Sequence, residues 1–220
     1  SSVASVPPPI RFHFDPHATL PVDDSDPSNT PAPYTVVAWN NLQQLQGTPR
    51  HNAFSADGTR LAVNINDIID EYDTYTGQRV RTLAKPGGWV GDMQYSPDGR
   101  WFAVGLGNGD FSVQVYDART AELKHRLLGH KGKVYCVRFN STAELIGTTG
   151  ADGVVRIWSP KTGELHCEIS DPEHALTERL AFHPEGKHLM VCGHGTTQIR
   201  EGDQFQTIRQ TLSGVVNWVG

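Results

Sequence analysis

LLGHKGKVYCVRFNSTAELIGTTGADGVVRIWSPKTGELHCEIS, residues 127–170, reads as four short strands in a row. Apolar and β-branched runs at 134–139, 145–149, 154–158 and 165–169 are separated by Asn-Ser, Ala-Asp-Gly and Lys-Thr-Gly turn signals. One four-stranded sheet cannot bury both of its faces, so this unit requires copies of itself on either side.

The rest of the chain supplies them. The aromatic residues that end the first strand of each unit, Phe54, Tyr95, Phe139 and Phe182, stand 41, 44 and 43 residues apart. A tight turn follows each one: SADG at 55–58, SPDG at 96–99, NSTA at 140–143 and HPEG at 183–186. Second strands (LAVNI, WFAVGL, LIGTT, HLMVC), third strands (IIDEY, FSVQVY, VVRIW, TTQIR) and fourth strands (QRVRTL, LKHRLL, ELHCEI, FQTIRQTL) recur in the same order. Four strands in a period of about 40 to 45 residues is the spacing of a propeller blade.

The run from Gly129-His130 through Asp152 to Trp158 resembles a WD repeat, with Ser159 where the family usually has Asp. Tyr72-Asp73 and Tyr116-Asp117 are aromatic variants of that dipeptide, and the resemblance extends over roughly residues 45–212. It implies an all-β WD-repeat β-propeller of about four complete four-stranded blades plus a partial one, in a ring not closed by these residues alone. The blades are expected at 45–83, 84–126, 127–170 and 171–212, with a further one starting at 213–220. The resemblance also implies a hydrogen-bonded lock of His130, Thr148, Asp152 and Trp158, a structural network and not a catalytic set; such groups must all find partners when buried. Asp67 and Asp110 keep the turn position in the first two units, without Gly-His. In the fourth the Asp position falls near Gly195 and the Trp position near Glu201, so the lock is expected to be missing.

Family propellers usually complete their last blade with a strand from the N-terminal end, and YTVVAW at 34–39 is placed to be that strand. The domain division is therefore an arm or linker at 1–33 and a propeller at 34–220. The arm holds eight of the fourteen prolines and the acidic run VDDSDPSNT. Closing the ring is expected to need the remainder of a longer chain or a second copy.

The 220 residues carry 19 Lys and Arg against 24 Asp and Glu, a net charge of −5, with the basic residues scattered singly. That distribution argues against non-specific binding to nucleic acid, which depends on phosphate neutralisation. No apolar run approaches the roughly 18 to 20 residues of a membrane span. Cys136, Cys167 and Cys192 each lie in an apolar strand pattern and read as buried reduced thiols, which points to an intracellular, cytoplasmic setting. The chain begins at Ser1 and shows no signal-peptide pattern.

Catalytic chemistry finds little support. His13, Asp15 and His17 alternate without a fourth ligand, and Cys192 and His194 form a two-residue pair short of a zinc signature. LGNGD at 106–110 reads as a hairpin turn, and no Gly-x-Ser-x-Gly elbow occurs. No cofactor is expected. The favoured function is a non-catalytic protein-interaction scaffold, and the alternatives are an RNA-contacting ribonucleoprotein component or a metal-assisted hydrolase using the histidine-rich fourth unit. By the family's strand register, the residues flanking the first-strand valine face a rim where partners bind: Arg50, Trp89, Lys133, Tyr135, Glu178 and Asn217. Trp, Tyr and Arg are the types that most often anchor interfaces.

Overall fold

A computed structural model describes residues 49–170, 179–193 and 195–213. Sixteen strands joined by short turns make up its regular secondary structure, and no helix occurs among the described residues. The first sheet comprises β1 (Pro49–Phe54), β2 (Arg60–Ile65), β3 (Ile68–Asp73) and β4 (Arg79–Ala84). The second is β5 (Trp89–Tyr95), β6 (Trp101–Gly107), β7 (Val113–Asp117) and β8 (Leu123–Leu127). The third is β9 (Val134–Phe139), β10 (Ile146–Gly150), β11 (Val154–Trp158) and β12 (Leu165–Ser170). The fourth is β13 (Arg179–Phe182), β14 (His188–Gly193), β15 (Thr196–Glu201) and β16 (Thr207–Ser213).

Each sheet is an antiparallel meander in chain order, and its first strand contacts the first strand of the next: β1 with β5, β5 with β9, β9 with β13. The four described sheets form a succession that does not close into a ring. Tyr34–Trp39, Glu178, His194 and all but the first residue of the run at 213–220 lie outside the described residues.

The turns follow from their side chains. In the second sheet Ser96 Oγ donates to Asp98 Oδ1 at 2.6 Å and accepts the Trp101 amide at 2.9 Å, and Ser55 and Asp57 repeat this in the first. Asn140 does the same work in the third, its Oδ1 accepting the amides of Glu144 and Leu145. After the third strands, Asp73 Oδ1 accepts the amides of Tyr75 and Thr76, and Asp117 Oδ1 those of Arg119 and Thr120. Ser159 Oγ substitutes for that carboxylate with one longer bond to Thr162 N, 3.3 Å. A short polar side chain that accepts from its own turn fixes the hairpin register on both sides.

Three strand boundaries differ from the expected units. Ala84 and Ser213, expected to open new units, instead end the fourth strand of the preceding sheet, opposite Ile69 and Thr196; Leu127, counted both in the fourth strand LKHRLL and as the start of the next unit, belongs to that fourth strand, opposite Val113. For Leu127 the reason is packing: it is 1% exposed, in the cluster that holds Val113 and Val115. β7 begins at Val113, not Phe111, because Asp110 Oδ1 accepts the Ser112 amide and Ser112 O accepts the Leu106 amide, keeping both residues in the turn.

The core lies between consecutive sheets. Ile69 and Leu83 of the first pack against Val90, Tyr95 and Phe102 of the second. Ala103, Val113 and Val115 meet Val134, Phe139, Ile146 and Trp158. Val155, Ile157 and Ile169 meet Leu180, Leu189 and Val191. Period-two alternation explains the arrangement, because successive residues of one strand serve different interfaces. Val155 and Ile157 point to the fourth sheet while Trp158 points to the second.

Polar contacts bind the same interfaces at both edges. At the inner edge, Asp92 Oδ2 accepts the Val137 amide at 2.9 Å and Gln94 Oε1 the Phe139 amide at 2.8 Å, so the free edge of β9 is satisfied by side chains of β5. At the outer edge each fourth strand reaches the turn of the following sheet. Arg81 donates to the carbonyls of Ala118 and Arg119, His125 to that of Lys161 at 3.1 Å, and His166 to that of Asp203 at 3.3 Å. Between the first two sheets, Glu71 is 3% exposed and accepts from Arg81 Nε at 2.6 Å and from the Tyr95 hydroxyl at 2.7 Å. Burial and this carboxylate partner push the Tyr95 phenol upward, so it stays a donor.

Candidate functional site: a polar lock and an aromatic rim

In the third sheet His130 precedes β9, Thr148 lies on β10, Asp152 in the turn after it and Trp158 at the end of β11. Trp158 Nε1 donates to Thr148 Oγ1 at 3.0 Å, Thr148 Oγ1 lies 2.8 Å from His130 Nε2, and His130 Nδ1 lies 3.0 Å from Asp152 Oδ1. With the proton on Nδ1 the relay runs one way, from indole to hydroxyl to imidazole to carboxylate; an Arg156 guanidinium nitrogen 2.8 Å from the same Nδ1 then donates to Asp152 Oδ2 instead. Asp152 Oδ2 also accepts the Lys131 amide at 3.0 Å, tying the strand entry to the turn. Gly150 is required beside this network, since a Cβ there would stand 2.6 Å from His130 Nδ1.

Arg156 is the member that sequence reasoning missed. Its guanidinium, 4% exposed as a residue, donates to Asp152 Oδ2 at 2.7 Å and to Glu168 Oε1 at 2.6 Å. The signal was present: strand alternation puts residue 156 on the face of Trp158, where a basic residue requires an internal acid.

The other sheets fill the matching positions with local pairs. Tyr116 donates its hydroxyl to Gln114 Oε1, and Gln114 Nε2 donates to Pro86 O at 3.1 Å. In the fourth sheet the ladder bulge next to Arg200 corresponds to the bulges next to Tyr72, Tyr116 and Trp158, so Arg200, not Glu201, takes the Trp position. Arg200 Nε donates to Gln198 Oε1 at 2.8 Å. An inner polar pair therefore stands where the motif suggested a gap. Asp110 Oδ2 pairs with Arg126 at 3.0 Å, while Asp67 is exposed.

Burial holds the His130 pKa below its ordinary value of 6.5, against the raising effect of Asp152, and Arg156 adds to the lowering. Burial alone would raise Asp152, but the Lys131 amide, His130 and Arg156 outweigh it and bring the carboxyl to about 2. A histidine with a depressed folded pKa stabilises the fold above its unfolded pKa, and that stability is lost as pH falls below about 6.5. For Asp152 the contribution is present above its unfolded value of 3.8 and is lost as pH falls toward about 2. The urea midpoint is thus expected to be flat between about pH 7 and pH 8, to drop once below about pH 6.5 and again below about pH 4. His130→Asn removes the lock's share of the first drop, and a pH profile identical to the parent's contradicts the assignment.

At the opposite end of the inner strands from the Ser-x-Asp-Gly turns, three of the expected rim residues converge. Lys133 Nζ sits 3.6 Å from the centroid of the Trp89 ring and 5.0 Å from that of Tyr135. The His51 ring meets Trp89 edge-on at 6.1 Å. Trp89 and Lys133 are half-buried and Tyr135 is 36% exposed. Arg50 is exposed on β1 next to His51, while Glu178 and Asn217 lie outside the described residues. The ammonium over an indole face is a cation–π contact that holds both side chains in place.

Among the described residues no three His, Cys, Asp or Glu side chains converge in a metal-binding group, and no helix is long and apolar enough to cross a membrane. His13, Asp15, His17 and His194 lie outside the described residues. Cys192 Sγ is engaged by the Thr197 hydroxyl at 3.4 Å.

Sequential four-stranded antiparallel sheets, packed face to face and latched at both edges, define a protein built from propeller blades. The family described as WD domain, G-beta repeat matches residues 77–117 and 121–159, and the chain belongs to the WD-repeat proteins. Each match starts at or just before a fourth strand and ends with the third strand of the next sheet, so one sequence repeat spans one sheet boundary. The chain is 30% identical over 178 residues to an uncharacterized WD repeat-containing protein of Synechocystis, covering 76% of this chain and 50% of that protein. It is 28% identical over 162 residues to the nuclear distribution protein PAC1-1 of Uncinocarpus reesii, covering 63% and 35%. To Topless-related protein 4 of Arabidopsis thaliana it is 24% identical over 152 residues, covering 66% and 13%. The chain thus spans half or less of the length of these relatives.

Proposed function

We propose that this chain is a non-catalytic scaffold that holds protein partners in an assembly through the rim of its inner strands. The observation that carries the reading is the Trp89–Lys133–Tyr135 cluster: a partly exposed aromatic pair, pre-ordered by a cation on rigid sheets. Arg50, Glu178 and Asn217 belong to the same proposed rim. Membership of the WD-repeat proteins supports this reading, with the relatives' partners left to those proteins.

Three unpaired, buried cysteines agree with an intracellular, cytoplasmic setting. We assign residues 1–33 to an arm and 34–220 to the propeller part, whose ring is completed by more of the same polypeptide or by a second copy. The test is co-purification with the full chain carrying Trp89→Ala and Tyr135→Ala together. Partner proteins identified with the parent are expected to be lost while the melting midpoint stays within a few degrees. Undiminished partners on the double variant overturn the reading.

A further inference from the structure

The end of the inner strands that carries the aromatic cluster also gathers positive charge that no ion pair among the described residues compensates; Glu178, placed on the same rim from the sequence, lies outside them. His51 lies within electrostatic reach of Arg50, Lys133 and Arg179, each from a different first strand or its entry. Arg50 and Arg179 are exposed, and Lys133 lies on Trp89. Among the described residues none of these three cations forms an ion pair. The nearby carboxylate, Asp92, is already engaged by Arg138 at 2.6 Å and by the Val137 amide. In a chain of net charge −5 such a grouping is held against its own repulsion, and an anionic partner relieves that cost.

We propose that this rim docks an acidic peptide segment of a partner protein, its carboxylates pairing with Arg50, Arg179 and Lys133 while Trp89 and Tyr135 pack against its backbone. The proposal rests on the rim reading above and gives that partner its chemistry. Two observations favour a peptide over RNA. Three cations supply too few phosphate contacts for strong polyanion binding. The Trp89 face that a base would stack on is covered by the Lys133 ammonium. Carboxylates, by contrast, suit the two-donor fork of arginine at exposed positions.

The test is fluorescence anisotropy on the full chain with three labelled probes: hexaglutamate, hexalysine and a hexauridylate RNA, at low and high salt. Hexaglutamate is expected to bind most tightly and to weaken with salt. Lys133→Glu and Arg179→Glu are each expected to weaken it about tenfold or more, and Lys133→Arg to retain it. Arg50→Glu, at an exposed position, gives the same readout without touching the Trp89 packing. Tighter binding of hexalysine or of the RNA, no binding of hexaglutamate, or hexaglutamate binding indifferent to Lys133→Glu and Arg50→Glu overturns the proposal. If hexaglutamate fails while partner proteins are still lost on Trp89→Ala with Tyr135→Ala, the acidic chemistry is wrong and the rim reading stands.

Discussion

Asp152→Ala is expected to lower the unfolding free energy by about 3 kcal/mol, as read from urea denaturation. The carboxylate is the sink of the third sheet's network: it accepts from His130, from the Lys131 amide and from Arg156. Removing it leaves the Lys131 amide without its acceptor and sets the His130 Nδ1–H against the Arg156 guanidinium 2.8 Å away, whose remaining carboxylate is the half-exposed Glu168. A neutral hydrogen bond costs about 1 to 3 kcal/mol when its partner is left unsatisfied, and the buried charge takes the loss to the upper end. Asp67→Ala, in the matching turn of the first sheet, is the control, because Asp67 is exposed. It is expected to change stability by no more than about 0.5 kcal/mol. Equal losses at the two positions contradict the lock.

Gly91→Ala is expected to be comparably damaging for a different reason. A Cβ at this position would stand 2.0 Å from Val134 O, a backbone atom of the next sheet, and no side-chain rotation relieves that contact. β5 must then move away from β9, which stretches the Asp92–Val137 and Gln94–Phe139 bonds. Overpacking costs about 1 to 3 kcal/mol where side chains yield, so a backbone clash is expected to cost about 3 kcal/mol or more. Hydrogen exchange adds a local readout: the Val137 and Phe139 amides are expected to lose protection ahead of amides in the first sheet. A variant with parental urea midpoint and parental protection at both amides contradicts the close approach.

The repeat, its period and its strand order were legible in the sequence because turn residues and aromatic anchors recur locally. The members of the third sheet's lock could be named because a family pattern fixes them, and Trp89, Lys133 and Tyr135 could be placed at one end of the first strands because those strands share one register. What was hidden depends on partners far apart in sequence. Glu71 meets Tyr95 across 24 residues, and Asp92 meets Val137 across 45; nothing local marks an acidic residue on a strand as bound to the neighbouring sheet. Arg156 shares the face of Trp158, which alternation signals, but its acceptors Asp152 and Glu168 stand on a turn and a neighbouring strand that only the fold brings to it. Arg200 stands one residue before expectation because it lies 18 residues past Phe182, as Tyr72 lies 18 past Phe54, where Trp158 lies 19 past Phe139. The fourth sheet departs from the motif yet keeps an inner pair, so the motif's absence marked a change of chemistry at that position.

The proposed function is most directly tested by placing a photo-crosslinking residue at position 135 in the full chain and, separately, at position 75. Tyr75 is 60% exposed in the turn between β3 and β4, at the other end of the strands from Tyr135. A rim that docks protein partners is expected to give discrete protein adducts from position 135 and few from position 75. Equal adducts from both positions, or adducts from position 75 alone, contradict it.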